Sequence, residues 1–138
     1  MAHPKDVGDL STLAIILALK NAGYGVLLPF GENTRYDLAI ELNGSLHRVQ
    51  CKTGRLSQGA VYFRTASSYY HHPHPKMPAK HYHGEVDFFA VYCPETSGVY
   101  LIPIADLPVE SGASLRIDPP RNNQRRRIRM AADYEIAR

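Results

Sequence analysis

In the stretch "YDLAIELNGSLHRVQCKTG", residues 36–54, three residues have types and spacing suited to chemistry: Asp37, Gln50 and Lys52. From Tyr36 to Leu42 apolar and polar residues alternate. The alternation predicts a strand with Tyr36, Leu38, Ile40 and Leu42 on one face and Asp37, Ala39 and Glu41 on the other. Asn43-Gly44 is the strongest short hairpin signal, and "SLHRVQCKTG" returns as the antiparallel partner. There Val49 and Cys51 share one face, while Arg48, Gln50 and Lys52 share the other. Such a hairpin lets a carboxylate, an amide and an ammonium meet on one sheet face. Those are the parts that phosphodiester hydrolysis uses. A carboxylate holds a hard divalent cation such as Mg²⁺, which prefers oxygen ligands and keeps several waters. That cation neutralises charge on the phosphate and lowers the pKa of an attacking water. A neighbouring lysine positions or deprotonates the water, or stabilises the pentacovalent transition state. The Gln50 side-chain oxygen and the Cys51 backbone carbonyl are candidate further ligands. The same spacing also fits an exposed Asp37–Lys52 ion pair, worth less than about 1 kcal/mol.

Other elements must position these residues. Pro4 to about Asn21 reads as a helix, with proline in the first turn, Asp6 and Asp9 where the dipole favours acids, and Gly23 as a stop. "YGVLLP" reads as a short strand, "FGENT" as a loop and "AVYFRT" as another strand. Residues 67–84, "SSYYHHPHPKMPAKHYHG", hold three prolines and no apolar periodicity. They read as a long functional loop. "VDFFAVYC" and "GVYLIPI" form a second strand pair around "PETSG", "ADLP" begins a helical turn, and "SLRID" is a late strand. The pattern gives an α+β fold (an α/β core): one domain over residues 1–138, with a mixed sheet and the N-terminal helix packed on it.

The composition limits the alternatives. The chain has 138 residues, 44% of them hydrophobic and 21% charged, the balance of a globular protein with a core of its own. Cys51 and Cys93 lie in strand-like runs and read as two small buried hydrophobes, which points to a reducing, cytoplasmic setting. The run Leu10–Leu19 lacks the length of a membrane span and the cleavage site of a signal peptide, so it reads as a buried amphipathic helix. Net charge is only +3, but its distribution is uneven. No acid lies between Glu41 and Glu85, where Arg48, Lys52, Arg55, Arg64, Lys76 and Lys80 fall beside His71, His72, His74, His81 and His83. A second acid-free stretch, residues 119–132, carries Arg121, Arg125, Arg126, Arg127 and Arg129. Two basic blocks suggest a polyanionic partner; either alone also fits a solvated basic tail. Tyr69, Tyr70 and Tyr82 are placed to stack on unpaired bases or to pack the loop down. Glu85 and Asp87 either support the site or stand on the surface. "HHPHP" and "HYH" suit phosphate or base contacts better than a zinc site, since no carboxylate is paired with them.

The segments "GDLST", "RYDLAIELNGSLHRVQCKTGRL", "GEVDFFAVYCPETSGVYLIPI" and "LRIDPPRNNQRRRIRMAADYE" resemble the PD-(D/E)XK endonucleases of the group I intron-associated type, over nearly the whole chain. The "RYDL…RVQxKT" core carries the likeness; a bare D…QxK pattern is not specific. The resemblance implies that Asp37 matches the metal-binding aspartate, with Tyr36 where the motif has its proline. Gln50 then takes the middle position and Lys52 that of the catalytic lysine. It further implies a restriction-endonuclease-like core, divalent-metal dependence and an oligomeric nuclease. One position departs from the pattern: Thr12 stands where relatives place a helix glutamate aimed at the metal. Asp9, three residues earlier, is the candidate replacement, through a water; it equally suits the helix N-terminus alone.

These readings converge on a Mg²⁺-dependent DNA endonuclease, with Mn²⁺ expected to substitute. Catalysis falls to Asp37, Gln50 and Lys52. The metal falls to Asp37, Gln50, the Cys51 carbonyl and, through water, Asp9. Arg55, His81, His83, Arg121, Arg125, Arg126, Arg127 and Arg129 are expected to hold DNA phosphates, which set affinity rather than sequence. A homodimer or higher homo-oligomer suits two strands, cutting either a specific duplex site, as homing-type enzymes do, or a Holliday junction. The competing readings are a nuclease-fold DNA-binding protein that lost cleavage at Thr12, and an adaptor for an acidic protein.

Overall fold

The computed structural model describes residues 3–31, 33–67, 80–81, 84–108, 111–119 and 128–136, with Ser67, Lys80 and His81 as backbone only. Helix α1 spans Pro4–Asn21. It starts at a proline, and the His3 ring accepts the Lys5 N–H at 3.2 Å, so one orphan donor of the first turn is satisfied. It ends where Ala22 N–H reaches Ala18 O at 3.0 Å and Gly23 turns to φ +95°, a conformation glycine adopts without a Cβ clash. Ser11, Ile15 and Leu19 form the buried stripe. The apolar run is not buried as a whole: Leu10, Leu13 and Leu17 are 61%, 63% and 63% exposed.

Among the described residues ten strands follow in chain order: β1 (Gly25–Leu27), β2 (Leu38–Leu42), β3 (Ser45–Thr53), β4 (Arg55–Ser57), β5 (Ala60–Arg64), β6 (Ala66–Ser67), β7 (Lys80–His81), β8 (Phe88–Cys93), β9 (Gly98–Pro103) and β10 (Gly112–Arg116). The main sheet has the order β1-β2-β3-β8-β9. Its pairs are antiparallel except β3 with β8, which run parallel, so the sheet is mixed as expected. The β2–β3 turn holds Asn43 at φ 53° and Gly44 at φ 83°, the two positive values a type I′ hairpin needs.

A second sheet, β10-β5-β4, is new relative to the sequence pattern. "SLRID" joins it by pairing with "AVYFR". The long loop of residues 67–84 is narrower than expected, because β6 pairs with β7 at its base. Its remainder, with Tyr69, Tyr70, His71, His72, His74, Tyr82 and His83, lies outside the described residues.

The main sheet is buried on both faces. One face meets α1 through Ile15, Leu19, Leu38, Ile40, Val49 and Ala90. The other meets the second sheet through Val61, Phe63, Phe89, Val91, Ile102 and Leu115, with the Phe63 and Phe89 rings edge to face at 6.2 Å. Gly54 allows this closure. A Cβ there would lie 2.5 Å from Val61 Cγ1 and 2.8 Å from Val91 Cγ1, where no side chain fits. Beyond β10 the chain returns along β9: Leu101 N–H donates to Tyr134 O and Ile136 N–H to Val99 O, each at 2.9 Å. These bonds satisfy backbone groups that β9 would otherwise leave open. No helix among the described residues is long and apolar enough to cross a membrane.

Candidate active site

The site forms where β2 and β3 part. Their register pairs Leu38 with Val49. One residue beyond, Asp37 N–H still donates to Val49 O at 2.9 Å. The next rung is made by a side chain: Cys51 N–H donates to Asp37 Oδ2 at 2.8 Å. The carboxylate thus takes the place of a backbone carbonyl in the ladder, fixing Asp37 alongside the centre of "QCK". Tyr36 leaves the strand as a consequence. Alternation put it with Leu38 and Ile40, but it packs against the opposite cluster, the one that holds Val61 and Phe89. Leu42, at the other end, is exposed rather than buried.

Asp37 Oδ1 has no hydrogen-bond partner among the described residues. The carboxyl opens to solvent on one side, while desolvation by the surrounding protein raises its pKa. The Cys51 N–H and the Lys52 charge oppose that rise without cancelling it. Lys52, half-buried, has its pKa lowered by desolvation first; the Asp37 charge opposes this, and the Arg64 and Arg35 charges add to it. Burial therefore pushes both groups of the pair toward neutrality. Lys52 lies beside Val91 in the β3–β8 ladder, on the side of the second sheet. Gln50 lies beside Phe89 on that same side.

The helix face of β3 is arranged differently. Thr12 donates its hydroxyl to Gly8 O at 3.0 Å and also forms a hydrogen bond with the Cys51 thiol. Burial, then the Asp37 charge, pushes that thiol's pKa up, against the Thr12 bond. Ser11 Oγ and Thr53 Oγ1 meet at 2.6 Å. Position 12 is thus next to the strand at the residue between Gln50 and Lys52. Asp9 stands exposed one turn before Thr12, about 60° from it around the helix axis, with no hydrogen bond or ion pair to the site among the described residues.

Two contributors, Arg35 and Arg64, were not singled out in the sequence. Arg35 and Arg64 flank Lys52 electrostatically. Arg35 also pairs with Glu85, and Asp87 accepts Arg48 N–H at 2.7 Å, pinning the start of β8 to β3. Burial would raise the Asp87 carboxyl, but the Arg48 hydrogen bonds and charge outweigh it and hold the pKa low. Glu85 and Asp87 therefore brace the strands around the site. Arg64's sequence signal was only its place in an acid-free block; Arg35 lies outside that block, between Glu32 and Asp37.

Among the described residues, no three His, Cys, Asp or Glu side chains gather to hold a metal. The donors present are oxygens: one carboxylate with a free oxygen, one amide and a backbone carbonyl. That set is wrong for zinc and right for a hard cation that keeps waters of its own. Next to the site, a groove of about 1070 Å³ is lined by Thr53, Arg55, Tyr62, Arg64 and Arg129, among others. Arg55 and Arg129 thus reach one groove, with Arg129 Nε held by Asp106 O at 2.9 Å. His83, Arg121, Arg125, Arg126 and Arg127 lie outside the described residues, as does the His81 side chain.

The sequence model of the PD-(D/E)XK endonucleases matches residues 2–137. Among solved structures, that of a bacterial homing endonuclease is similar, with a TM-score of 0.68 and 24% identity, covering 98% of this chain and 88% of that one. At this identity the likeness is one of fold, and the fold is restriction-endonuclease-like. No curated protein matches.

Proposed function

The chain belongs to the PD-(D/E)XK endonuclease family, and from that premise we propose that it hydrolyses DNA phosphodiester bonds at Asp37, Gln50 and Lys52 with Mg²⁺. The observation that carries this reading is the Cys51 N–H to Asp37 Oδ2 bond of 2.8 Å. It holds one carboxylate oxygen in the sheet and leaves the other facing outward beside a desolvated lysine.

Asp37 Oδ1, the Gln50 side-chain oxygen and the Cys51 carbonyl would hold the cation, with Mn²⁺ able to replace it. Its chemistry there is charge neutralisation on the phosphate oxygens and a lower pKa for a nearby water. Lys52 supplies the proton acceptor: its lowered pKa increases the fraction of neutral amine that can take a proton from water. The water oxygen bonds to phosphorus, one ester P–O bond breaks, and the leaving sugar oxygen takes a proton from solvent. Arg55 and Arg129, with the arginines of residues 121–127 and the histidines at 81 and 83, hold flanking phosphates. Single-domain organisation over residues 1–138 and a homodimer complete the proposal, since two strands call for two such sites.

A second reading has one observation in its favour. Asp37 is the carboxylate held at the strand, and position 12 offers a hydroxyl already bonded to Gly8 O and Cys51. On that reading the chain binds DNA and cuts weakly or not at all. Incubation with supercoiled plasmid, linear duplex and a four-way junction, with and without Mg²⁺, separates the two. Metal-dependent nicking supports the nuclease, and its substrate preference identifies duplex-site or junction cleavage. Steeply salt-dependent binding without any cut supports the binding protein.

A further inference from the structure

The groove beside the site contains a residue to which the reaction, as proposed, gives no role. Strand β5 buries Val61 and Phe63 and exposes Tyr62 and Arg64. Register places Arg55 opposite Tyr62, and Ser114 on the other side of it. Residues two apart on a strand and directly opposite across a ladder share a face. Arg55, Tyr62, Arg64 and Ser114 therefore form one surface, and all four line the groove. The surface is continuous with the site. Gly54 brings β5 against the end of β3, and Arg64 is close enough for its charge to act on Lys52. Among the described residues neither Arg55 nor Arg64 has a carboxylate partner. The acid of the lining, Asp106, accepts a hydrogen bond from the Tyr134 hydroxyl at 3.0 Å.

A guanidinium left unpaired beside a reaction centre has a reason to be there if an anion arrives with the substrate. Arginine's planar fork suits the two free oxygens of a phosphodiester. We propose that Arg64 is a positioning residue that holds the backbone phosphate next to the scissile one, and that the strand continues past Tyr62 to Arg55. This rests on the nuclease reading above and adds to it the path of the strand and the residue that sets its register. Tyr62, across the ladder from Arg55 and two residues before Arg64, adds an aromatic side chain of the kind strand-tracking grooves commonly use.

The test uses the full chain and a fluorescently labelled DNA duplex. Binding is measured across a salt series with Ca²⁺ in place of Mg²⁺, and Mg²⁺-dependent cutting is measured in parallel. R64A should reduce the slope of log K against log salt by about 0.9, the value for one phosphate contact, and should slow cutting. R64K should restore the slope, because it keeps the charge, while cutting stays slow, because the fork is lost. R55A should reduce the slope by a similar amount, and K20A, on the helix, should not. R64Q, which keeps the side-chain stem, should match R64A. If R64A and R64Q keep the wild-type slope while the wild type cuts, the strand path is wrong and the nuclease reading stands. If the wild type neither binds nor cuts any DNA, the nuclease reading fails and the strand path fails with it.

Discussion

The two faces of β3 are built from alternate residues of one strand and do opposite work. Toward the helix, Val49, Cys51 and Thr53 meet Ile15, Thr12 and Ser11, and the polar atoms there bond to one another. Toward the second sheet, Lys52 lies among the charges of Asp37, Arg35 and Arg64. The helix face is closed and holds the strand in place. The other face keeps two ionisable groups in surroundings that favour their neutral forms, which is the condition for proton transfer rather than for stability. A surface ion pair would show the reverse, with Asp37 lowered and Lys52 raised.

If the charged face is the reactive one, the largest effect should come from D37N. It keeps the shape and can still accept the Cys51 N–H, but it removes the charge. Cleavage should fall about 10²-fold or more, the usual range for losing such a group, with weaker Mn²⁺ binding by calorimetry. Unchanged metal affinity would remove Asp37 from the ligand set. Next in size is G54A, which forces a methyl between Val61 and Val91. Overpacking of this kind costs about 1–3 kcal/mol, read by urea denaturation, and it should affect both faces because it parts the two sheets.

A pH profile sharpens the contrast. A general base must be deprotonated, so cleavage should rise with pH and level off below the ordinary lysine value of about 10.4. Desolvation, with Arg64 and Arg35, lowers the Lys52 pKa, so in R64A the rising limb should move to higher pH. An unmoved limb would assign the titration to another group. Smaller effects belong to the helix face. T12E puts a carboxylate where the Thr12 hydroxyl meets Cys51 and should raise cleavage several-fold. D9A should leave cleavage nearly unchanged and cost the helix at most about 0.3–1 kcal/mol, measured by thermal unfolding. A large loss in D9A would bring Asp9, one turn from Thr12 on the same helix face, into the metal site.

The hairpin was legible because its signals are local: alternation, Asn-Gly, then alternation again. The contents of the two faces of β3 followed from it. Asp37 was legible as a residue but not as a rung of the ladder, because the departure of Tyr36 depends on packing against a cluster assembled from distant strands. Strand β4 left no pattern, since all three of its residues are exposed. Its pairing with β5 is set by a turn in which Gln58 takes φ 51°, a conformation that turn residues such as Asn and Gly usually supply. Arg64 could not be singled out for a related reason. Its approach to Lys52 depends on the closure at Gly54, which joins segments that sequence periodicity treats separately. The exposed leucines of α1 mark the limit of periodicity in the other direction: it found the helix and overstated its burial.

The central claim is that Lys52 acts in the reaction rather than in a solvated pair with Asp37. The most direct measurement compares Mg²⁺-dependent nicking of supercoiled plasmid by the wild type and K52A, at protein concentrations giving equal DNA occupancy. The wild type should nick and K52A should not, while K52A binds with only modest weakening. Nicking by K52A at the wild-type rate would contradict it.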